Sequence, residues 1–221
     1  IISNGLNYED NEKILELKAK PAFPINLSKN EVAAHSTPSF NDTGTASGLL
    51  KIDIGVHIDG YIADTAFSLD LENSDENKSL IEAAEDALQK AIECIKLNIP
   101  LKELGSVIEK AIQSHNASPI RNLSGHSIKR YELHAGITIP NFNNMQEKKM
   151  QIGVYAIEPF ATSGFGSVRD SRTSEIFVLR KKSGIRDSFA REMLKFIIEE
   201  YHTLPFCTRW LQKKFGSRAV L

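Results

Sequence analysis

The sequence feature that most constrains the fold is the stretch of residues 51–71, KIDIGVHIDGYIADTAFSLDL. Apolar and polar residues alternate on both sides of Asp59-Gly60, and an Asp-Gly pair between alternating runs is a strong short-range signal for a β-hairpin. If these two residues form the turn, then Ile58 lies opposite Tyr61. The sequence therefore predicts two long antiparallel strands joined by a two-residue turn.

The two faces of the predicted hairpin carry different residues. The apolar face is expected to pack against the core, and it comprises Ile52, Ile54, Val56, Ile58, Tyr61, Ala63, Thr65 and Phe67. On the other face Asp53 lies opposite Ala66, and Asp64 lies opposite Gly55. These two carboxylates are diagonal neighbours, roughly 7–8 Å apart, which is close enough to reach one cation or a pair of cations.

Asp53 and Asp64 have two interpretations. They could be solvated residues on the outer face of the hairpin, as most strand carboxylates are. Two features favour a binding site instead. Asp53 lies within an apolar run, and Gly55 leaves room for a group to approach Asp64.

The composition is that of an ordinary globular protein, with 221 residues, 41% hydrophobic residues, 25% charged residues and a formal net charge of −1. This balance gives no electrostatic reason to expect DNA or an anionic membrane as the main partner. The two cysteines, Cys94 and Cys207, predict no disulfide framework and fit a reducing, cytoplasmic location. No apolar run approaches the roughly 20 residues that span a membrane. Because the first residue is Ile1 rather than Met, we expect the N-terminus to be missing or processed.

Other elements follow from the spacing of apolar residues. Helices are predicted over residues 80–97, 101–114 and 187–201. The first two helices, which Pro100 separates, are expected to cover a sheet. The remaining predictions are strands over 151–163 and 174–179, extended segments and turns over 21–38, and a short helix or linker over 8–19.

Four further residues could take part in chemistry. Glu158 lies inside an apolar run, and a buried carboxylate needs a cation or a metal ion beside it. His126 and His134 both lie within residues 121–141. His35 lies in a loop, where a histidine is more often a surface residue than a catalytic one.

The candidate ligands form a set of carboxylates with a single imidazole, namely Asp53, Asp64, His126 and Glu158. Such a set suits first-row divalent ions such as Mn, Co, Fe or Zn, and it differs from a thiolate-rich structural zinc site. Bridging carboxylates can hold two such ions about 3.5–4 Å apart, and the ions activate a shared water and polarise a carbonyl for hydrolysis. The residues therefore indicate metal-dependent hydrolysis.

The motifs KIDIGVHIDGYIADTA, NLSGHSI, LHAGITIPN and YAIEPFAT closely resemble those of the type 2 methionine aminopeptidases, particularly the archaeal ones. This family belongs to the pita-bread metallopeptidases, and the resemblance covers nearly the whole chain. It implies an α/β pita-bread fold: two pseudo-symmetric halves, each with helices over a curved antiparallel sheet, with the metals between them. We expect residues 1–180 to form the catalytic domain and residues 181–221 to begin the family's helical insertion.

The resemblance also implies a role for each ligand. Asp53 and Asp64 would bind metal, with Asp64 bridging two divalent ions, and His126 and Glu158 would hold the second ion.

Further roles concern the substrate. His35, in the family's AAH-x-TP motif, would contact the amine or carbonyl side of the substrate. His134 would hydrogen-bond the scissile peptide and stabilise the tetrahedral intermediate. The positions that line the family's methionine pocket are Phe23, Leu133 and Phe160.

The chain departs from the family pattern at its ends. Family members have a further bridging glutamate in a late QFEHT-like motif, and no such motif follows Leu211. The helical segment before KPAFP is shortened as well. We therefore expect a fragment of a longer protein, in which the second ion binds weakly at best and which could be inactive on its own.

The resemblance implies removal of the initiator methionine from nascent chains, by attack of a metal-activated hydroxide on the first peptide bond. The expected protein is a cytoplasmic monomer, with the ribosome as a candidate partner. Two alternatives remain: a proline dipeptidase-like hydrolase of the same fold, and a non-catalytic pita-bread protein that binds other macromolecules. The NLSGHSI and LHAG motifs argue against the first, and the four retained ligands argue against the second.

Overall fold

The computed structural model describes residues 18–171, 173–181 and 184–220, so the helix or linker predicted at residues 8–19 lies almost wholly outside the described residues. The helices are α1 (Asp75–Cys94), α2 (Leu101–Ser114), α3 (Ser188–Glu200) and α4 (Thr208–Phe215), followed by a short 3-10 helix, Ser217–Val220. None of the helices in the described ranges has the length and apolar character needed to cross a bilayer.

Eleven strands are present among the described residues. They are β1 (Lys20–Pro21), β2 (Asn26–Lys29), β3 (Leu49–Ile58), β4 (Tyr61–Asp70), β5 (Ser118–Pro119), β6 (Ser124–Ile128), β7 (Thr138–Pro140), β8 (Val154–Ala156), β9 (Ala161–Thr162), β10 (Ile176–Phe177) and β11 (Phe206–Cys207).

The predicted hairpin is confirmed, with the predicted register. Strands β3 and β4 pair antiparallel along their whole length, and Ile58 lies opposite Tyr61. Asp59 and Gly60 form the turn with φ angles of 49° and 83°. Both angles are positive, as the favoured two-residue hairpin turn requires. Strand β3 is central in its sheet, because β1 and β2 pair with its other edge.

The prediction of which hairpin face packs on the core is wrong. On the apolar face Val56, Tyr61 and Phe67 are 43%, 68% and 48% exposed, whereas Gly55 and His57 on the opposite face are buried. Alternation distinguishes two faces of a strand, but it does not say which face the rest of the chain covers. Here the carboxylate-bearing face is turned inward.

Helices α1 and α2 pack against each other and against the second half of the chain. An alanine stripe on α1, made of Ala83, Ala87 and Ala91, is fully buried, and small residues let two helices approach closely. Their shared core includes Ile139 of β7 and Met150, which confirms the expected helical layer over a sheet. Pro100 caps the start of α2, six residues after α1 has ended at Cys94.

The second half of the chain contains short strands. Strand β6 pairs with β7 on one side and β8 on the other. The predicted run over residues 151–163 is two short strands, with Glu158 between them, and the strand predicted over 174–179 is reduced to β10. A separate apolar cluster joins α3, β11 and α4 around Ile197, Phe206 and Leu211, which confirms the helix predicted over 187–201.

Candidate metal centre

Two strands of the hairpin bring the first carboxylates together. Asp64 lies opposite Gly55, and Asp53 lies opposite Ala66, so both side chains are on the inward face as diagonal neighbours. The side chain of Asp64 is only 12% exposed. On the other edge of β3, Asn26 donates its Nδ2–H to Oδ2 of Asp53 over 2.9 Å.

The second half of the chain supplies the imidazole and the third carboxylate. His126 lies on β6 opposite Ala156 of β8, and Glu158 follows Ala156 by two residues. The two strands can approach because of Gly125: a Cβ atom at that position would overlap the carbonyl oxygen of Ala156. A short β-ladder therefore positions His126 beside Glu158, although the two residues are far apart in sequence.

The two halves meet at His126. Its Nε2 lies 3.0 Å from Oε1 of Glu158 and 3.5 Å from Oδ2 of Asp64. One ligand atom from each of these three residues lies within 4.8 Å of the others. The Nδ1 of His126 lies 3.4 Å from the carbonyl oxygen of Ser127, a contact that suits a proton on Nδ1 and directs Nε2 toward the carboxylates.

Burial and mutual repulsion shift the pKa values of the carboxyl groups. Burial, followed by the negative charges of Asp53 and Glu158, raises the pKa of Asp64 to about 7. Burial also raises the pKa of Asp53, although the hydrogen bond from Asn26 acts in the opposite direction. Like charges held together in this way favour a bound cation, which would neutralise them.

The two histidines of the cleft respond in opposite ways to their surroundings. Burial acts to lower the pKa of His126, but the hydrogen bond and charge of Glu158, with the charge of Asp64, outweigh it and raise that pKa. Burial and the positive charge of His126 lower the pKa of His134. The two rings meet edge to face, with their centroids 4.4 Å apart, so His134 lies beside the ligand cluster as a neutral imidazole.

The donor set fits a divalent transition metal ion. It consists of carboxylates and one imidazole whose atoms converge from three strands or strand ends, and the repulsion between the carboxylates needs a positive charge. Asp64, His126 and Glu158 form the compact group. Asp53 does not belong to this compact group, although its negative charge acts on Asp64.

The structure places the predicted substrate residues around this cluster. His35 is exposed, has a φ angle of 60°, and lies near enough for its charge to lower the pKa of Asp53. Phe23 and Leu133 are brought together in one buried cluster with Ala22. Phe160 is half-buried and is not a member of that cluster.

Two features of the site were not foreseen from the sequence. Asn26 was not recognised as a partner of Asp53, because a single asparagine in a proline-rich stretch has no distinguishing pattern. The space at Gly55 is filled by the ring of Phe23, which a Cβ atom on Gly55 would overlap. A glycine directly opposite a candidate ligand was the one available signal for this close approach.

Comparison with known proteins identifies relatives along most of the chain. The model of metallopeptidase family M24 matches residues 6–186. A methionine aminopeptidase of Methanocaldococcus jannaschii is 45% identical over 95% of this chain and 71% of its own length. That of Pyrococcus abyssi is 49% identical over 90% of this chain and 68% of its own length. The crystal structure of a methionine aminopeptidase from Rickettsia prowazekii superposes with a TM-score of 0.59 at 28% identity, over 73% of this chain and 66% of that one.

Proposed function

The chain belongs to metallopeptidase family M24, and from this premise we propose that it is a metal-dependent aminopeptidase that removes methionine from the N-terminus of proteins. The observation that supports this proposal most directly is the convergence of Asp64, His126 and Glu158 at the boundary between the hairpin and the second half of the chain. The relatives at 45% and 49% identity are named methionine aminopeptidases.

We assign the metal ligands as follows. In this proposal Asp53 and Asp64 would hold one divalent ion, and Asp64 with His126 and Glu158 would hold a second. Mn, Co, Fe and Zn are the candidates, because all accept carboxylate with imidazole ligands. Such ions polarise a peptide carbonyl and lower the pKa of water, which is the chemistry that hydrolysis of a peptide bond requires.

The chain's own residues bind and orient the substrate. His134 is neutral because its pKa is lowered, so an N–H of its ring can donate a hydrogen bond to the scissile carbonyl as negative charge develops there. His35 is exposed near Asp53 and can contact the N-terminal residue of the substrate. Phe23 and Leu133 offer a buried apolar surface for the methionine side chain, with Phe160 as a further wall.

The proposed substrates are newly made polypeptides that begin with methionine. We place the activity in the cytoplasm, where protein synthesis supplies these N-termini, and we propose that the protein acts as a monomer that can work at the ribosome.

The test is hydrolysis of a Met-Ala-Ser peptide, with added Mn²⁺ or Co²⁺, by the complete protein that contains these 221 residues. We expect metal-dependent release of methionine, which chelation abolishes and which the His126→Ala variant lacks. His115→Ala is a matched control, because His115 lies away from the cleft and contacts Asp86 on α1. Ala-Pro serves as a control substrate, and we expect it to be cleaved poorly.

Two outcomes would overturn the proposal. Preferential cleavage of Ala-Pro would indicate a proline dipeptidase. Tight Mn²⁺ binding without release of methionine from any peptide tested would indicate a binding protein rather than an enzyme.

A further inference from the structure

We propose that Asn26 is a positioning residue of the metal centre, whose amide N–H holds one oxygen of Asp53 and thereby presents the other oxygen to a metal ion. The inference rests on the proposed metal-dependent function. It concerns a residue that lies on β2, outside the cluster of Asp64, His126 and Glu158.

The contact between Asn26 and Asp53 is built into the sheet. Asn26 and Asp53 are direct partners across β2 and β3, so their side chains extend from the same face. Nδ2 of Asn26 lies 2.9 Å from Oδ2 of Asp53. Asn26 is only 3% exposed, so surrounding atoms limit the rotamers that its side chain can adopt.

The amide group of Asn26 has one orientation that suits this contact. Turning the amide over would place its oxygen against the carboxylate of Asp53, which is repulsive. In the observed orientation Oδ1 of Asn26 is buried without a hydrogen-bond partner among the described residues, which is unfavourable. Because its acceptor is unsatisfied, the Asn26 amide contributes little to stability through its own hydrogen bonds. Its donation to Asp53 is therefore explained by what it does to the carboxylate of Asp53.

The hydrogen bond gives the two oxygens of Asp53 different roles. Oδ2 accepts the Asn26 N–H, whereas Oδ1 accepts no hydrogen bond from the described part of the chain and can face a cation held with Asp64. A carboxylate that binds metal through one oxygen is commonly oriented by a hydrogen bond to the other, and loss of such a partner typically weakens metal binding about 10- to 100-fold.

The test compares variants that keep or remove the shape of Asn26. Asn26→Leu keeps the approximate volume but has no donor, and Asn26→Ala removes both. We expect both variants to bind Mn²⁺ about 10- to 100-fold more weakly than wild type by isothermal titration calorimetry. Far-UV circular dichroism of the metal-free proteins confirms that each variant is folded.

Ser28→Ala is the matched control. Ser28 lies two residues further along the same strand, faces the same way, and is 1% exposed with an unpartnered hydroxyl. It pairs with Lys51 instead of Asp53, so we expect unchanged Mn²⁺ affinity. Wild-type affinity in Asn26→Leu with weaker binding in Asn26→Ala would indicate a packing role and overturn the proposal.

A measurement on the wild-type protein does not depend on the folding of the variants. When Zn²⁺ is titrated, the side-chain amide resonances of Asn26 should shift with the stoichiometry of metal binding, whereas those of the exposed Asn116 should not. Metal binding without a shift at Asn26 would overturn its positioning role. Metal binding without methionine release would count against the proposed enzyme alone, so the two failures are distinguishable.

Discussion

At the scale of single residues, Asp64 carries an electrostatic cost that a metal ion can relieve. Its pKa is about 7 in the folded protein, because of burial and the charges of Asp53 and Glu158, and about 3.9 in an unfolded chain. Between these values only the folded state holds the extra proton. The free energy of unfolding of the metal-free protein therefore falls as the pH rises from about 4 to about 7, and then levels off.

Asp64→Asn removes this titration. We expect the metal-free variant to exceed wild type in its free energy of unfolding by a few kcal/mol at about pH 8, since one pKa unit corresponds to about 1.4 kcal/mol. The difference should vanish below about pH 4. Urea denaturation across this pH range measures the difference in the free energy of unfolding. Glu132→Gln is the control, because Glu132 is exposed. A variant no more stable than wild type at about pH 8 would contradict this explanation.

Gly55 controls the position of Phe23. Because a Cβ atom at residue 55 would overlap the Phe23 ring, Gly55→Ala must displace the ring from its buried cluster, at a cost of about 1–3 kcal/mol. Thermal denaturation should show this loss, and KM for a Met-Ala-Ser peptide should rise if Phe23 lines the methionine pocket. Gly184→Ala is the control, since no atom of the residues that the structure describes lies within 4 Å of a Cβ atom there.

A smaller side chain at position 23 should relieve the overlap with a Cβ atom at position 55. In a Phe23→Leu background, Gly55→Ala should cost less than it does in wild type, because the two residues are in contact and their effects couple. Additive losses would show that the Phe23 ring is not the group that Gly55 accommodates.

At the scale of elements, the sequence predicts the register of the hairpin but not which of its faces is turned inward. Its register follows from local information, because Asp59-Gly60 requires two positive φ angles and these set every pair along β3 and β4. The choice of inward face depends on where distant segments pack. Phe23 and Leu133 cover the carboxylate face, and neither position could be placed there by the alternation of the hairpin.

The inverted faces have a consequence for stability. Phe67 is 48% exposed on the outer face, whereas Ile62 packs against the buried cluster of Phe23 and Leu133 on the inner face. We expect Ile62→Ala to cost about 2 kcal/mol or more and Phe67→Ala less than about 1.5 kcal/mol, although Phe is the larger side chain. Chemical denaturation of both variants measures the order, and the reverse order would mean that the outer face is covered in solution.

Sequence motifs predict which residues form the candidate site, but they do not predict how these residues come together. Asp64, His126 and Glu158 were all named from sequence, and the structure brings them together. Their convergence requires the β6–β8 pairing of His126 with Ala156, which no local pattern predicts. Asn26 was missed for the same reason: its importance comes from its neighbour across the sheet.

At the scale of the whole molecule, the apolar residues form separate clusters. One joins α1 and α2 to the second half of the chain, and another joins α3, β11 and α4. The links between the last cluster and the hairpin region include an exposed ion pair of Lys20 with Glu200 and the contact of the Tyr131 and His202 rings. The division of the chain near residue 180 remains a prediction, and β10, which precedes that residue, pairs with β11 beyond it.

Unfolding followed by two probes tests that division. Trp210 is the single tryptophan and lies in the cluster of α3, β11 and α4, so its fluorescence reports on the surroundings of that cluster. We expect its denaturant midpoint to be lower than the midpoint from far-UV circular dichroism, which reports on all helices. Coincident midpoints would mean that residues beyond 180 unfold together with the rest.

The outward side of the hairpin also bears on how the protein behaves in concentrated solution. Among the described strands only β3 pairs with β4, so ten residues of β4 form a free sheet edge. Lysine and proline, which commonly protect such edges, are both missing from YIADTAFSLD. Phe67 and Leu69 are exposed along this edge, which therefore offers backbone hydrogen-bonding groups and apolar side chains to a strand from another molecule. The hairpin that supplies two carboxylates of the candidate metal centre is thus also the place where edge-to-edge aggregation would begin.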